Sequence, residues 1–151
     1  FYGFKVHLVI NNKGAIMALK MTRGNVDDRI PVPELTKGLT GIMAADKGYI
    51  KQNLFLNLYE RGLKMIHGIK KNMPNKLMDL KDKIILRKRN LIETVFDYLK
   101  NKMNLEHTRH RSFVNAFVHI ISTFVAYSLI KNKPSANFDL NIYLNNSLIQ
   151  N

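Results

Sequence analysis

The feature that most restricts the fold is a pair of short apolar segments separated by one helical segment. Gly41 to Ala45 is small and apolar and ends abruptly at Asp46, and Leu63 to Ile69 is the second apolar segment. Gln52 to Glu60, between them, has helical character and precedes Gly62, a residue type that commonly ends helices. A strand, a helix and a strand in this order predict two parallel strands joined by a crossover helix.

The flanking segments predict a mixed α/β domain with a central sheet. The strand-like runs Phe4 to Ile10 and Ala15 to Met21 are separated by Asn11 to Gly14, which predicts an antiparallel hairpin. A short helix is expected over Asp28 to Leu35, with Asp28 as its N-cap. Two long helices are expected near the carboxyl end, over Leu86 to Met103 and Ser112 to Lys131.

The chain has 151 residues, which suits one domain with a real core. After Pro134 the composition becomes rich in Asn and loses its periodicity. The sequence therefore predicts a domain over residues 1–133 and a poorly ordered tail over residues 134–151.

The charge balance indicates a polyanionic partner. Lys plus Arg number 24 against 11 Asp plus Glu, which gives a net charge of +13. Nucleic acid is the commonest partner of such a chain. The absence of cysteine excludes disulfides, thiolate zinc sites and Cys nucleophiles, so a bound metal must use carboxylates or histidines. It also fits a reducing cytoplasm, and with DNA as the expected partner the chain is expected to be nucleoid-associated.

The apolar run Ser112 to Ile130 has about the length of a membrane span. It also contains Asn115, His119 and several hydroxyl groups, which favour a buried core helix. Its nearly all-round apolarity predicts a helix that is covered on most faces. The reading of a membrane-anchored protein ranks last, and no membrane partner is expected.

Two acids, Asp46 and Glu93, stand at positions where carboxylates can act chemically. Asp46 follows a buried strand, where ligands of α/β proteins usually bind, although it could equally cap the next helix. Glu93 lies beside an apolar stripe on a predicted helix, although an ion pair with Arg89, four residues earlier, is the simpler interpretation. The residues by themselves leave both pairs of alternatives open.

The spacing of Arg89, Glu93 and Lys100, with the segment Ala45 to Tyr49 upstream, resembles bacterial insertion-sequence transposases of the Asp-Asp-Glu type, which have a ribonuclease H-like core. Leu86 stands where many of these proteins have Tyr. Further segments resemble the family in the same order, so that the resemblance spans about Tyr2 to Lys131; they are Tyr2 to His7, Thr22 to Asp28 and His107 to Ser112.

The resemblance implies a ribonuclease H-like mixed sheet flanked by helices, and three carboxylates that hold two Mg²⁺ ions. These ions support cleavage of a phosphodiester and strand transfer of an insertion sequence. Asp46 would be the second catalytic and metal-binding carboxylate and Glu93 the third. Arg89 and Lys100 would pair with DNA phosphates. The other expected DNA contacts are Lys5, Lys47, Arg109 and Arg111.

In the family, the first catalytic Asp lies on a strand before the hairpin, and this chain starts at the hairpin. The fold is therefore expected to be truncated at its amino end, without its first strand. Asp27 and Asp28 match the loop after the second strand and do not replace the missing Asp. The chain alone is expected to be inactive, as a fragment or as one half of a split transposase. Its expected partners are insertion-sequence ends, and a second copy or a complementing amino-terminal half.

A basic nucleic-acid-binding domain without enzymatic activity is the rival interpretation. In that case the positive charge alone accounts for nucleic-acid binding, and Asp46 and Glu93 have no functional role. DNA binding would then fall with rising salt but would not respond to Mg²⁺ or to substitution of either acid.

Overall fold

The structure is a computed structural model, and it describes residues 3–49, 51–68, 78–106 and 111–136. These residues form a mixed α/β structure, as predicted. The strands are β1 (Phe4–Ile10), β2 (Ile16–Arg23), β3 (Gly41–Ala45) and β4 (Leu63–His67), and the helices are α1 (Val32–Leu35), α2 (Gln52–Glu60), α3 (Leu80–Arg87), α4 (Leu91–Asp97) and α5 (Phe113–Leu129). Short 3₁₀ turns cover Lys47–Tyr49 and Lys88–Asn90, and a π-helical turn covers Tyr98–Lys102.

The crossover unit predicted from the apolar segments is confirmed. Strands β3 and β4 are parallel, with Gly41 opposite Leu63 and Ala45 opposite His67. Helix α2 connects them and ends at Glu60 with Arg61 as its C-cap, after which Gly62 takes a left-handed φ of 79°. That conformation costs a glycine little, which explains why the helix stops there.

The hairpin is also confirmed. Strands β1 and β2 pair, and the side chain of Asn11 shapes the turn, because its Oδ1 accepts hydrogen bonds from the backbone N–H groups of Lys13 and Ala15. Gly14 takes a φ of 70° in the same turn. The short connection leaves the two strands only an antiparallel arrangement.

The expectation of one central sheet is wrong for the described strands. They form two separate two-stranded sheets, β1 with β2 and β3 with β4. Alternating and apolar patterns indicate which residues are extended, but they carry no information about which strand edges pair.

The short helix begins later than predicted, at Val32 instead of Asp28. Pro31 occupies the N-cap position, and its side chain forms no capping hydrogen bond. The carboxylate of Asp28 instead pairs with Lys5 on β1. Asp28 therefore forms a tertiary ion pair and not the helix cap that the local sequence predicted.

The long helix predicted over Leu86 to Met103 is divided. Helix α3 starts earlier, a 3₁₀ turn at Lys88–Asn90 follows it, and α4 then leads into the π-helical turn. The predicted apolar stripe is nevertheless buried at Val95 and Leu99. The 3.6-residue period therefore located the buried face correctly, while it could not detect local changes of helical pitch.

Helix α5 lies close to its predicted bounds, but the expectation that it is covered on most faces is wrong. Only Thr123, Phe124 and Tyr127 are buried on this helix. Within the described ranges, no helix combines the length and the apolarity needed to cross a bilayer.

The described residues divide into two compact units. The first comprises residues 3–9, 17–49, 51–68 and 78–89, and the second comprises residues 10–16, 90–106 and 111–136. The core of the first is built from Val32, Leu54, Leu58, Leu63 and Met65. The buried apolar side chains of the second are Val95, Leu99, Leu105, Phe124 and Tyr127. The tail predicted from residue 134 lies largely outside the described residues and stays a prediction.

Candidate active site

Asp46 follows the last residue of β3, at the carboxyl end of the parallel strand pair. Its side chain is 64% exposed. Its Oδ1 accepts a hydrogen bond from the backbone N–H of Lys47 at 2.8 Å and another from Nη1 of Arg89. The carboxylate is therefore accessible at the sheet edge and is held by two donors.

These donors favour the ionised form of Asp46. The hydrogen bond from the Lys47 backbone, followed by the hydrogen bond from Arg89, holds the pKa of Asp46 below its ordinary value. The group is a carboxylate at neutral pH, the form in which it can bind a cation.

Both simpler interpretations of the two acids differ from the structure. The N-cap of α2 is Lys51, so Asp46 does not cap that helix; its carbonyl accepts the N–H of Tyr49 within the 3₁₀ turn. The ion pair of Arg89 is with Asp46 and not with Glu93. Glu93 is exposed on α4 and forms no ion pair with any residue in the described ranges.

Lys47 and Tyr49 extend the site along the sheet edge. The side chain of Lys47 passes over Gly68, where an added Cβ would lie 2.9 Å from its Cε. Burial raises the pKa of the Tyr49 hydroxyl, and the charges of Asp28 and Asp46 raise it further. Sequence reasoning placed Tyr49 in the motif but gave it no role; its half-buried position within the electrostatic influence of two acids depends on tertiary packing.

Lys5 is tied to the loop after β2. Its Nζ donates to the carbonyl of Val26 at 2.9 Å and to Oδ1 of Asp28 at 3.0 Å. His7, two residues along β1, is only 7% exposed and is hydrogen-bonded through Nε2 to Oγ1 of Thr22 at 2.8 Å. The side chain of His7, on the same strand face as Lys5, is therefore packed against other residues of this chain.

The cationic side chains expected farther along the chain belong to the second unit. Lys100 lies in the π-helical turn and pairs with Glu106 at 2.6 Å, with both side chains substantially exposed. Arg111 is exposed. Arg109 lies outside the described residues. Lys100 and Arg111 are thus accessible cations.

The carboxylates fit a hard cation in their chemistry, because Mg²⁺ prefers oxygen ligands. Asp46 belongs to the first compact unit and Glu93 to the second. Among the residues that the structure describes, no group of three or more His, Cys, Asp or Glu side chains is placed to hold a metal ion. The described side chains therefore supply suitable donors but not a complete metal cage.

The sequence was compared with models of known protein families. The family model described as "Transposase DDE domain" matches residues 1–113, a range that contains Asp46, Arg89 and Glu93. No curated protein and no solved structure matches the chain. The family match covers most of the sequence. The chain therefore belongs to the DDE transposases, a family that acts on DNA in transposition and generally uses divalent metal ions.

Proposed function

We propose that this chain acts in metal-dependent cleavage and strand transfer at the ends of an insertion sequence, with Asp46 and Glu93 as metal-binding carboxylates. The observation that carries the proposal is the exposed, ionised carboxylate of Asp46 at the end of a parallel strand, joined to Arg89. This sheet edge is where α/β proteins usually bind ligands. The family match adds the chemistry of phosphodiester transfer.

Bound Mg²⁺ would supply activation of an attacking water or 3′-hydroxyl and stabilisation of the leaving oxygen. The contribution of this chain is to present oxygen ligands. Both described hydrogen bonds to the Asp46 carboxylate fall on Oδ1, so Oδ2 accepts none from the described residues. A cation can therefore approach Oδ2 without displacing the Lys47 backbone.

Arg89 would hold Asp46 in place and then contact DNA. A guanidinium has several N–H donors in a fixed fork, so it can turn from a carboxylate to a phosphate with little loss of hydrogen bonding. With a cation bound at Asp46, the attraction between Asp46 and Arg89 would weaken. The guanidinium of Arg89 would then be available to a DNA phosphate.

The other cations would bind the DNA backbone. Lys5 and Lys100 take part in exposed ion pairs, which typically contribute about 0–1 kcal/mol each. Such pairs can be exchanged for phosphate contacts at small cost. Lys47, Arg109 and Arg111 complete the proposed set, and the net charge of +13 supports binding along the backbone.

The proposed sheet is ribonuclease H-like. Among the described strands each pairs with one other, so a ribonuclease H-like sheet would need strand pairing beyond the two described sheets. The family pattern carries its first catalytic Asp on a strand that precedes the hairpin. Because only Asp46 and Glu93 match the family's catalytic positions in this sequence, we propose that these 151 residues bind DNA but do not cleave it by themselves.

A nicking assay with terminal-repeat DNA and Mg²⁺, run beside a DNA-binding titration, tests the proposal. The chain should bind DNA without nicking it, and Asp46→Asn and Glu93→Gln should bind DNA more tightly, because each removes a negative charge next to the phosphates. Clear nicking that Asp46→Asn abolishes would contradict the proposed inactivity. DNA binding that ignores Mg²⁺ and both substitutions would favour a non-enzymatic binding domain.

A further inference from the structure

Helix α3 is joined to the parallel strand pair by a buried carboxylate. Asp82 is the one buried residue of this helix, with 5% of its surface exposed, although Ile84, Ile85 and Leu86 follow it in the same helix. Its Oδ2 accepts a hydrogen bond from Nζ of Lys64, on β4, at 2.5 Å. Burial of a carboxylate costs free energy that burial of an apolar side chain does not. The stability of the core therefore does not explain an acid at this position.

The ion pair between Lys64 and Asp82 is poorly suited to stabilise the fold. The Lys64 side chain is 48% exposed, and Oδ1 of Asp82 is buried and accepts no hydrogen bond from the described residues. Removal of charges from water offsets much of the attraction within such a pair, and an apolar pair of similar volume is often as stable. A buried ion pair does fix the position of the elements that it joins, because a displaced helix would leave its charge buried and unpaired.

The two faces of the parallel strand pair have different neighbours. Leu63 and Met65 on β4 and Ala45 on β3 pack in the core that includes α2. Side chains alternate between the faces of a strand, so Lys64 points to the other face, where α3 contacts β3 and β4. Asp46 follows Ala45 and lies on this other face by the same alternation. Both ion pairs therefore join the same face of the sheet to α3 and the turn after it.

The spacing along α3 matches the spacing along the strands. Asp82 and Arg89 are seven residues apart, so about two helical turns place them on the same side of the helix, roughly 10 Å apart along its axis. On the strands, Lys64 lies opposite Ile42, and Asp46 is four residues beyond Ile42, a distance of about 13 Å. The long side chains of Lys64 and Arg89 cover the difference. The two ion pairs thus hold both ends of α3.

The signs of the charges also define the direction and position of α3. The sheet contributes the cation of Lys64 and then the anion of Asp46, whereas the helix contributes the anion of Asp82 and then the cation of Arg89. A reversed helix would bring like charges together, and a shift by one turn, about 5.4 Å, would break both pairs. Apolar packing is non-directional and defines neither property as narrowly.

We propose that Asp82 is a positioning residue, which fixes α3 on the sheet through Lys64 and thereby places the guanidinium of Arg89 on Asp46. Asp82 itself contacts neither metal nor DNA and acts through Arg89. The value of this placement for DNA rests on the proposed function, whereas the placement itself is measured on the chain alone. Failure of the placement test is therefore distinguishable from failure of the nicking and DNA-binding test.

The NMR signal of the Nε–H group of Arg89, recorded without DNA or metal, measures the placement. Its position in Asp46→Asn is the reference for a guanidinium without its carboxylate partner. Asp82→Asn should shift the Arg89 signal most of the way to this reference. Asp79→Asn is the matched control and should leave the signal in place, because Asp79 is the exposed N-cap residue of the same helix and forms no ion pair with the described residues.

A double variant separates positioning from stability. In Lys64→Met combined with Asp82→Leu, apolar side chains replace both charges, so the urea midpoint should be unchanged or higher while the Arg89 signal still shifts. This variant also keeps the test decisive if Asp82→Asn does not fold. An Arg89 signal that stays in place in folded Asp82→Asn or in the double variant, or that shifts equally in Asp79→Asn, overturns the proposal. Unfolding of the double variant overturns it as well, because the pair would then be needed for the fold itself.

Discussion

Nη1 of Arg89 donates a hydrogen bond to Oδ1 of Asp46, a residue 43 positions earlier in the chain. The pair joins the 3₁₀ turn after α3 to the carboxyl end of β3. It brings together, within one compact unit, two of the residues that the sequence motif assigned separately to metal and DNA. The central acid of the site is therefore held by a cation distant in sequence as well as by the backbone N–H of Lys47.

Replacing Arg89 by Ala should raise the pKa of Asp46 while leaving it below the ordinary value. The substitution removes the second-largest cause of the lowered pKa, and the Lys47 backbone hydrogen bond, which is the largest, remains. Titration of the side-chain carboxyl carbon by ¹³C NMR measures this pKa directly. Arg87→Ala, an exposed cation in the last turn of α3, is the control and should leave the pKa unchanged.

The ion pair between Asp46 and Arg89 also affects the stability of the fold at low pH. A carboxyl group whose pKa is lower in the folded state stabilises the fold above the pKa of the unfolded state, and that stabilisation is lost as pH falls through the folded value. Arg89→Ala should therefore weaken the acid dependence below the ordinary pKa of 3.8. An unchanged pKa in Arg89→Ala would show that the ion pair does not persist in solution.

Gly14→Ala should destabilise the second unit more than a left-handed backbone alone explains. Gly14 has a φ of 70°, and an added Cβ would clash with the carbonyl oxygen of Pro134. The carbonyl of Gly14 also accepts a hydrogen bond from the buried hydroxyl of Tyr127 at 2.8 Å. We expect a loss of about 2–5 kcal/mol in the free energy of unfolding, from backbone strain and overpacking together.

Gly38→Ala separates these two causes. Gly38 has a φ of 79°, but no atom lies within 4 Å of an added Cβ. Its substitution should cost only about 1–2 kcal/mol, the strain of the left-handed conformation. Urea unfolding of both variants makes the comparison, and equal losses would show that Gly14 does not pack against Pro134 as described.

His7 should make the fold sensitive to mild acid. Burial lowers the pKa of His7 below its ordinary value of 6.5; the charge of Asp28 opposes this shift, and Lys5 and Lys20 add to it. Between the folded pKa and 6.5 the unfolded state binds more protons, so the free energy of unfolding falls as pH decreases through this range. The measurement is urea unfolding at a series of pH values.

His7→Gln should flatten that dependence, since glutamine can still bond to Thr22 but does not titrate. His119→Gln on α5 is the control and should leave the slope in place. If the pH dependence of the free energy of unfolding remained in His7→Gln and disappeared in His119→Gln, His7 would not be its source. That result would contradict the buried position of His7.

The sequence predicted the local elements well and the tertiary contacts poorly. The hairpin, β3, α2 and α5 were all located from periodicity and turn residues, because these signals act over a few neighbouring positions. Arg89 was different. Its spacing from Glu93 matched an ion pair within one helix, and only the packing of α3 near β3 shows that its partner is Asp46.

The exposure of α5 could not be predicted from the sequence either. An all-round apolar helix is typical of a buried position, and the pattern cannot say whether the covering surface belongs to the same chain. Tyr49 was missed for a related reason, because its place near Asp28 and Asp46 depends on loops that are distant in sequence. Local sequence patterns thus predict which surfaces are apolar enough to be covered, whereas tertiary packing determines which residues cover them.

We propose that Asp46 and Glu93 bind the same metal ion, and Mn²⁺-induced broadening of backbone amide NMR signals tests this proposal most directly. In the unmodified chain, Mn²⁺ should broaden the signal of Lys47, whose N–H bonds to Asp46. In Glu93→Gln, the same broadening should need about tenfold more Mn²⁺ or more, because disturbing the ligand environment of a metal usually lowers its affinity by that factor. Asp97→Asn, which removes another exposed acid of α4, should leave it unchanged. Broadening at Lys47 that is the same in the unmodified chain and in Glu93→Gln would contradict the account.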